Sequence, residues 1–160
     1  VEIPSSGPQA ANDATAKAPL GVLYRHNGNV YRYVQFDNGD DNVAAVVGAV
    51  AYWKTLAPAS GSFVVTCDIS SAIGSGVNLV AGVLGVIVTD QYYTWIQVGG
   101  KCTAQTAAST TTGDACIYGT DKAFGRDAAN SVADVAFGIA LDARQTTLGS
   151  NTVLLHNLIW

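Results

Sequence analysis

Charge is what this chain has least of. Only 12% of its 160 residues are Asp, Glu, Lys or Arg, roughly half the usual share of a globular domain. So thin a charged coat leaves two readings: a surface partly covered by a partner, or one kept soluble by Ser, Thr, Asn and Gln. The eight cations are scattered and the net charge is −4, which argues against nucleic acid as a partner. Long apolar runs are missing too. Val43–Trp53 and Leu79–Val88 are the longest, well short of the roughly 20 residues that cross a bilayer, so no membrane is expected. The start shows no charged stretch followed by an apolar one, as a secretion signal would, although a mature chain beginning at Val1 is also what removal of such a signal leaves.

Cysteine is scarce, odd in number and irregularly spaced, at Cys67, Cys102 and Cys116. That excludes a disulfide framework and points to synthesis in a reducing cytoplasm. No Asn-x-Ser/Thr acceptor is present. The usual carriers of chemistry are equally sparse: two histidines, His26 and His156, and one glutamate, Glu2. There is no Gly-x-Ser-x-Gly elbow, phosphate loop or His-Glu-x-x-His. Gly74-Ser75-Gly76 lacks the third glycine of a dinucleotide site. The cysteines lack Cys-x-x-Cys spacing for zinc, and Cys67 and Cys116 read as small buried hydrophobes. Asp37-Asn38-Gly39-Asp40-Asp41-Asn42 gathers hard oxygens, but Gly48 stands where an EF-hand loop ends in Glu. We therefore expect no catalytic residues, no cofactor and no metal. The chain reads as one that binds rather than reacts.

What is abundant is short β-rich sequence punctuated by Gly and Asp. One pattern occurs twice: a Gly-centred apolar strand, a polar turn and a second apolar strand, over Val83–Val98 and again over Ala136–His156. The clearest local signal is a hairpin. Residues 21–26 and 29–34 flank Asn27-Gly28, the favoured pair for a two-residue type I′ turn. The pairing then sets His26 against Asn29, Tyr24 against Tyr31 and Val22 against Tyr33. Val22, Tyr24, Tyr31 and Tyr33 form an aromatic face that reads as core. Leu23, Arg25, Val30, Arg32 and Val34 occupy the other. Arg25 and Arg32 need acids nearby, either Asp37, Asp40 and Asp41 or an acidic patch on another protein.

Further segments are expected at 43–54, 63–69, 83–88, 93–98, 115–118, 135–141 and 152–159, the first opening with a helical turn at 43–47. The fold class is all-β, a small barrel or sandwich with little helix. Residues 20–160 form its single domain. Residues 1–19 stand apart, holding three of the four prolines and too little apolar surface to fold alone. They read as an extended N-terminal arm in which Val1-Glu2-Ile3-Pro4 alternates as a strand would and could join a neighbour's sheet edge.

The succession Gly82-Val83-Leu84-Gly85-Val86, Tyr92-Tyr93-Thr94-Trp95-Ile96-Gln97-Val98-Gly99-Gly100, Thr103-Ala104, Gly113-Asp114-Ala115 and Gly138-Ile139-Ala140-Leu141 resembles the head decoration, or capsid cement, proteins of tailed bacteriophages. It covers residues 79–156; the Tyr-rich hairpin and the Gly149-Ser150-Asn151 loop fall outside the shared pattern. The resemblance implies a β-tulip-like fold, a homotrimer, and binding to the major capsid protein on the outer surface of the expanded capsid. It implies capsid contacts from Val1, Glu2, Ile3, Pro4, Arg25 and Arg32. Trp53, Tyr92, Tyr93 and Trp160 become candidates for the oligomer interface, each with a competing place in the core. A head fibre, spike or other virion adhesin is the alternative, and a soluble binding module or a two-Asp polysaccharide hydrolase is the remaining one.

Overall fold

The computed structural model describes residues 7–73, 80–107, 109–127, 136–143 and 149–156. Val1, Glu2, Ile3, Pro4 and Trp160, and Gly74-Ser75-Gly76, lie outside them. The architecture is all-β. Ten strands run β1 (Leu23–His26), β2 (Asn29–Phe36), β3 (Val50–Ala57), β4 (Ser62–Thr66), β5 (Val80–Leu84), β6 (Tyr93–Thr106), β7 (Ala115–Thr120), β8 (Ala123–Asp127), β9 (Gly138–Ala140) and β10 (Gly149–Leu155). Helix among the described residues is limited to three single 3-10 turns.

The strands close twice. β2, β4, β3, β5 and β6 return to β2 as a five-stranded barrel, with one parallel contact between β2 and β4. β6 then runs on into a second ring, β6-β10-β9-β7-β8, which closes through the single parallel pair Thr106–Phe124. The switch between rings falls at Gly100, where φ is +88° and a side chain would collide with Asn29. Only glycine meets both demands. The sequence pattern bounds this strand at 93–98, whereas β6 continues through Gly99-Gly100 to Thr106. Beyond the two glycines, buried Cys102, Ala104 and Thr106 alternate with exposed Lys101 and Thr103, the period of a half-buried strand.

The hairpin forms as the sequence dictates. Tyr24 pairs with Tyr31 and His26 with Asn29, and both turn residues take positive φ, +48° at Asn27 and +79° at Gly28. Its aromatic face forms a core of its own, separate from the barrel interior: Tyr31, Tyr33 and Trp95 pack with Ala11 and Ala18. Residues 7–19 are correspondingly no free arm. They lie over this face, tied by Thr94 Oγ1 donating to Ala11 O at 2.7 Å, by a bridge between Asp13 and Tyr93, and by Lys17 N donating to the Tyr33 hydroxyl at 3.1 Å.

Three further elements differ from expectation. Residues 43–47 form no helical turn: Val43 and Ala45 are buried while Ala44 and Val47 are exposed, so core contacts hold the segment extended until Gly48 turns it at φ +79°. The first Gly-centred strand ends at Leu84, since Gly85 abuts the Gln9 side chain and the chain loops to Tyr93. β8 was not foreseen, because Lys122 takes the left-handed turn position (φ +64°) that Gly or Asn normally signals. The second Gly-centred hairpin pairs Gly138 with Leu155 and Ala140 with Val153, as its pattern implies.

Candidate functional site: an aspartate-bound barrel end and an amide-lined cleft

Four Asp-bearing loops, holding Asp37 to Asp41, Asp68, Asp90 and Asp121, meet at one end of the first barrel. Asp68 is fully buried there. Its carboxylate accepts from the Ser70 and Ser71 hydroxyls, each at 2.6 Å, from Ser70 N at 2.9 Å and from Asp41 N at 3.1 Å. Burial alone would raise its pKa, but these donors outweigh it and hold the carboxyl well below the usual range. Gly39 must lack a side chain because a Cβ would enter the Asp68 carboxylate. The polar loop at 37–42 is thus fastened to the 66–73 turn. Nearby, Asp37 takes Lys54 at 2.9 Å, and Asp121 accepts from Ile69 N at 2.9 Å.

These acids do not serve the two hairpin arginines, as the sequence suggested. Asp37 and Asp40 pair with Lys54. Arg32 is only 2% exposed and lies 5.6 Å from the Trp53 ring centre, which takes it off the surface as a contact residue. Desolvation lowers its pKa. Arg25 remains exposed on β1 beside Leu23. Trp53 is likewise fully buried, edge-on to Phe63 at 6.0 Å, and belongs to the core of the chain. Tyr92 and Tyr93 are half-buried; Tyr93 stacks on Tyr33 at 6.3 Å. His156 sits exposed at the end of β10, and His26 stacks on Tyr24. All three cysteines are buried and free, with burial pushing each thiol up to about 12, so they are inert at neutral pH.

At the junction of the two rings lies an open cleft of about 610 Å³, adjoined by a second of about 270 Å³. Gln9, Asn27 and Asn29 line both. Gln97, only 1% exposed, anchors the floor: its Nε2 donates to Gly99 O at 3.1 Å and Lys101 O at 3.0 Å, and its Oε1 accepts from Gln9 Nε2 at 2.8 Å. Neither Gln9 nor Gln97 drew attention in the sequence, where isolated amides carry no pattern. Their convergence depends on the docking of residues 7–13 onto β6.

No protein-family model matches the sequence, and no curated protein matches it. Among solved structures the fold is similar to "The crystal structure of head fiber gp8.5 N base in bacteriophage phi29", with a TM-score of 0.54 at 11% identity, covering 81% of this chain and 95% of that one.

Proposed function

We propose that this chain is a virion structural protein that binds the outer surface of a bacteriophage capsid, as a homotrimer on the major capsid protein, and stabilises the expanded shell. The observation that carries the reading is the fold shared with a phage head-fibre base over 95% of that chain. The sequence resemblance to capsid cement proteins points to the same location. The proposed role is binding, without catalysis. A ligand that engages only the expanded lattice adds its binding free energy to that state alone. Repetition over many sites makes rupture cooperative. Residues 1–4, together with Leu23 and Arg25 on β1, are the proposed contact segments; Tyr92 and Tyr93 are the proposed oligomer contacts.

The base of a head fibre is a second reading, favoured by the structural neighbour, which is itself a head-fibre base. Copy number separates the two. Gradient sedimentation of virions, followed by quantitative mass spectrometry against the coat protein, should give a ratio near one per coat subunit for a cement protein. Shells lacking it should then rupture at lower temperature. A few copies per particle would support the fibre base, and a chain found only in the soluble pool would sink both.

A further inference from the structure

The cleft between the two rings has a chemistry of its own. Four carboxamides reach it from three separate parts of the chain: Gln9 on the docked N-terminal segment, Asn27 and Asn29 at the hairpin, and Gln97 on β6. A carboxamide offers two donors and an acceptor, the combination that a pair of neighbouring hydroxyls both satisfies and requires. Among the described residues no Asp or Glu lines either part of the cleft, although acids outnumber bases 12 to 8 in the chain. Among the described residues Lys101 is the one charged side chain at the larger part, and it is exposed. The lining is therefore unsuited to a cation. Val47, 56% exposed, supplies an apolar lip.

The floor is also preorganised. Gln97 spends both amide hydrogens on Gly99 O and Lys101 O, which locks the floor. The rim amides are held as well, Asn27 Nδ2 against His26 Nε2 at 3.1 Å and Asn29 Nδ2 donating to the Tyr31 hydroxyl at 3.3 Å. The volume lies in the range of small-molecule sites.

We propose that this cleft binds a neutral, polyhydroxylated ligand, a short oligosaccharide, through the amides of Gln9, Asn27 and Asn29. The site is independent of the capsid-facing role, and it can be tested on the isolated chain.

The test is NMR titration of the ¹⁵N-labelled protein with maltotriose, with the N-acetylglucosamine trimer, and with a Gly-Ala peptide as a control. Saturable shifts of the Gln9, Asn27 and Asn29 side-chain amides with a sugar, and none with the peptide, are expected. Asn29→Ala should weaken that binding about tenfold, the loss of one or two hydrogen bonds. Val47→Trp, which fills the lip from an exposed position, should abolish it while the spectrum and melting temperature show an intact fold. The proposal is overturned if neither sugar moves these amides at millimolar concentration, if the shifts fall elsewhere, if Val47→Trp leaves binding intact, or if the peptide moves the same amides.

Discussion

The two rings share one strand and one continuous hydrophobic core, but they fill it with different side chains. The first is filled and flanked by large rings, with Phe36 and Trp53 fully buried and an arginine enclosed beside the indole. Its far end is fastened by the Asp68 carboxylate. The second is built from small side chains, Cys102, Ala104, Cys116, Ala140 and Val153, around one edge-on pair of rings, Phe124 and Phe137, 6.0 Å apart. Closure differs as well. The first barrel closes through the pairs Gln35–Val64 and Phe36–Val65, extended by Asp37 N donating to Val65 O. The second depends on Thr106–Phe124, extended by Ala107 N donating to Phe124 O. Burial of apolar surface scales with side-chain size, so the first ring is the scaffold and the second leans on it. The β7–β8 turn makes that dependence visible. Lys122 O accepts from Val50 N at 2.8 Å, and the Tyr52 hydroxyl donates to Thr120 O and Ala123 O.

The largest test of this asymmetry compares Trp53→Ala with Phe124→Ala. Each removes a buried ring and should cost about 3–5 kcal/mol, but the damage should distribute differently. Loss of Trp53 empties the scaffold, so hydrogen exchange should accelerate in β2 to β10 together. Loss of Phe124 should accelerate exchange in β7 to β10 while β2 to β5 keep their protection. Equal loss in both variants would show one cooperative unit and break the comparison.

The Asp68 fastening comes next. Asp68→Ala strands the Ser70, Ser71 and Asp41 donors and should cost about 3 kcal/mol by denaturant unfolding. Its pH signature follows from the direction of the shift. The folded carboxyl titrates below its ordinary value of 3.8, so its stabilisation is complete above that value and disappears as pH falls through the folded pKa. Wild type should therefore lose stability on acidification below pH 3.8 more steeply than Asp68→Asn does, and parallel acid-unfolding curves would remove Asp68 from the account.

Ring-rich sequence is also the part that could be read in advance. Asn27-Gly28 fixes the first hairpin and its register because an I′ turn allows one pairing and only a few residue types. The small-residue ring was half legible. The glycine of 138 marks a close approach, where a Cβ would meet Leu154 O at 2.8 Å, and its hairpin was foreseen. β8 and the second half of β6 were not, because Lys122 and Gly99-Gly100 do there what the local sequence argues against. The sites were less legible than the fold. Arg32 looked like a surface cation because alternation separates the faces of a strand without saying which face is enclosed. Residues 7–19 looked like an arm because their partners, Tyr33, Tyr93 and Thr94, lie far along the chain.

Gly138 and Gly82 give a smaller, matched pair of tests. A Cβ at Gly82 would meet Gln97 O at 2.6 Å, and both obstacles are strand backbone, which cannot rotate away. Gly82→Ala and Gly138→Ala should each cost about 1–3 kcal/mol by overpacking. The first should be felt throughout in hydrogen exchange, and the second in β9 and β10. A neutral Gly138→Ala would mean that the smaller ring yields to relieve the contact.

The smallest effect isolates the segment that covers the first ring from outside. Tyr33 is fully buried, and its hydroxyl donates to Asp13 Oδ2 at 3.0 Å while accepting from Lys17 N. Burial first, and the neighbouring Asp13 carboxylate after it, push the phenol up to about 12 from 10.0, against the lowering effect of the Lys17 N–H. A folded pKa above the unfolded one stabilises fully below pH 10.0 and ceases to do so as pH rises toward 12. Tyr33→Phe keeps the tilted ring contact with Trp95, 5.0 Å away, and should cost about 1 kcal/mol while flattening the alkaline limb of the stability profile. Exchange should rise at Asp13 and Lys17, with β2 and β6 unchanged. Because the docked segment also carries Gln9 into the cleft, the same variant would show whether the cleft depends on that segment's full attachment or only on the contact between Gln9 and Gln97.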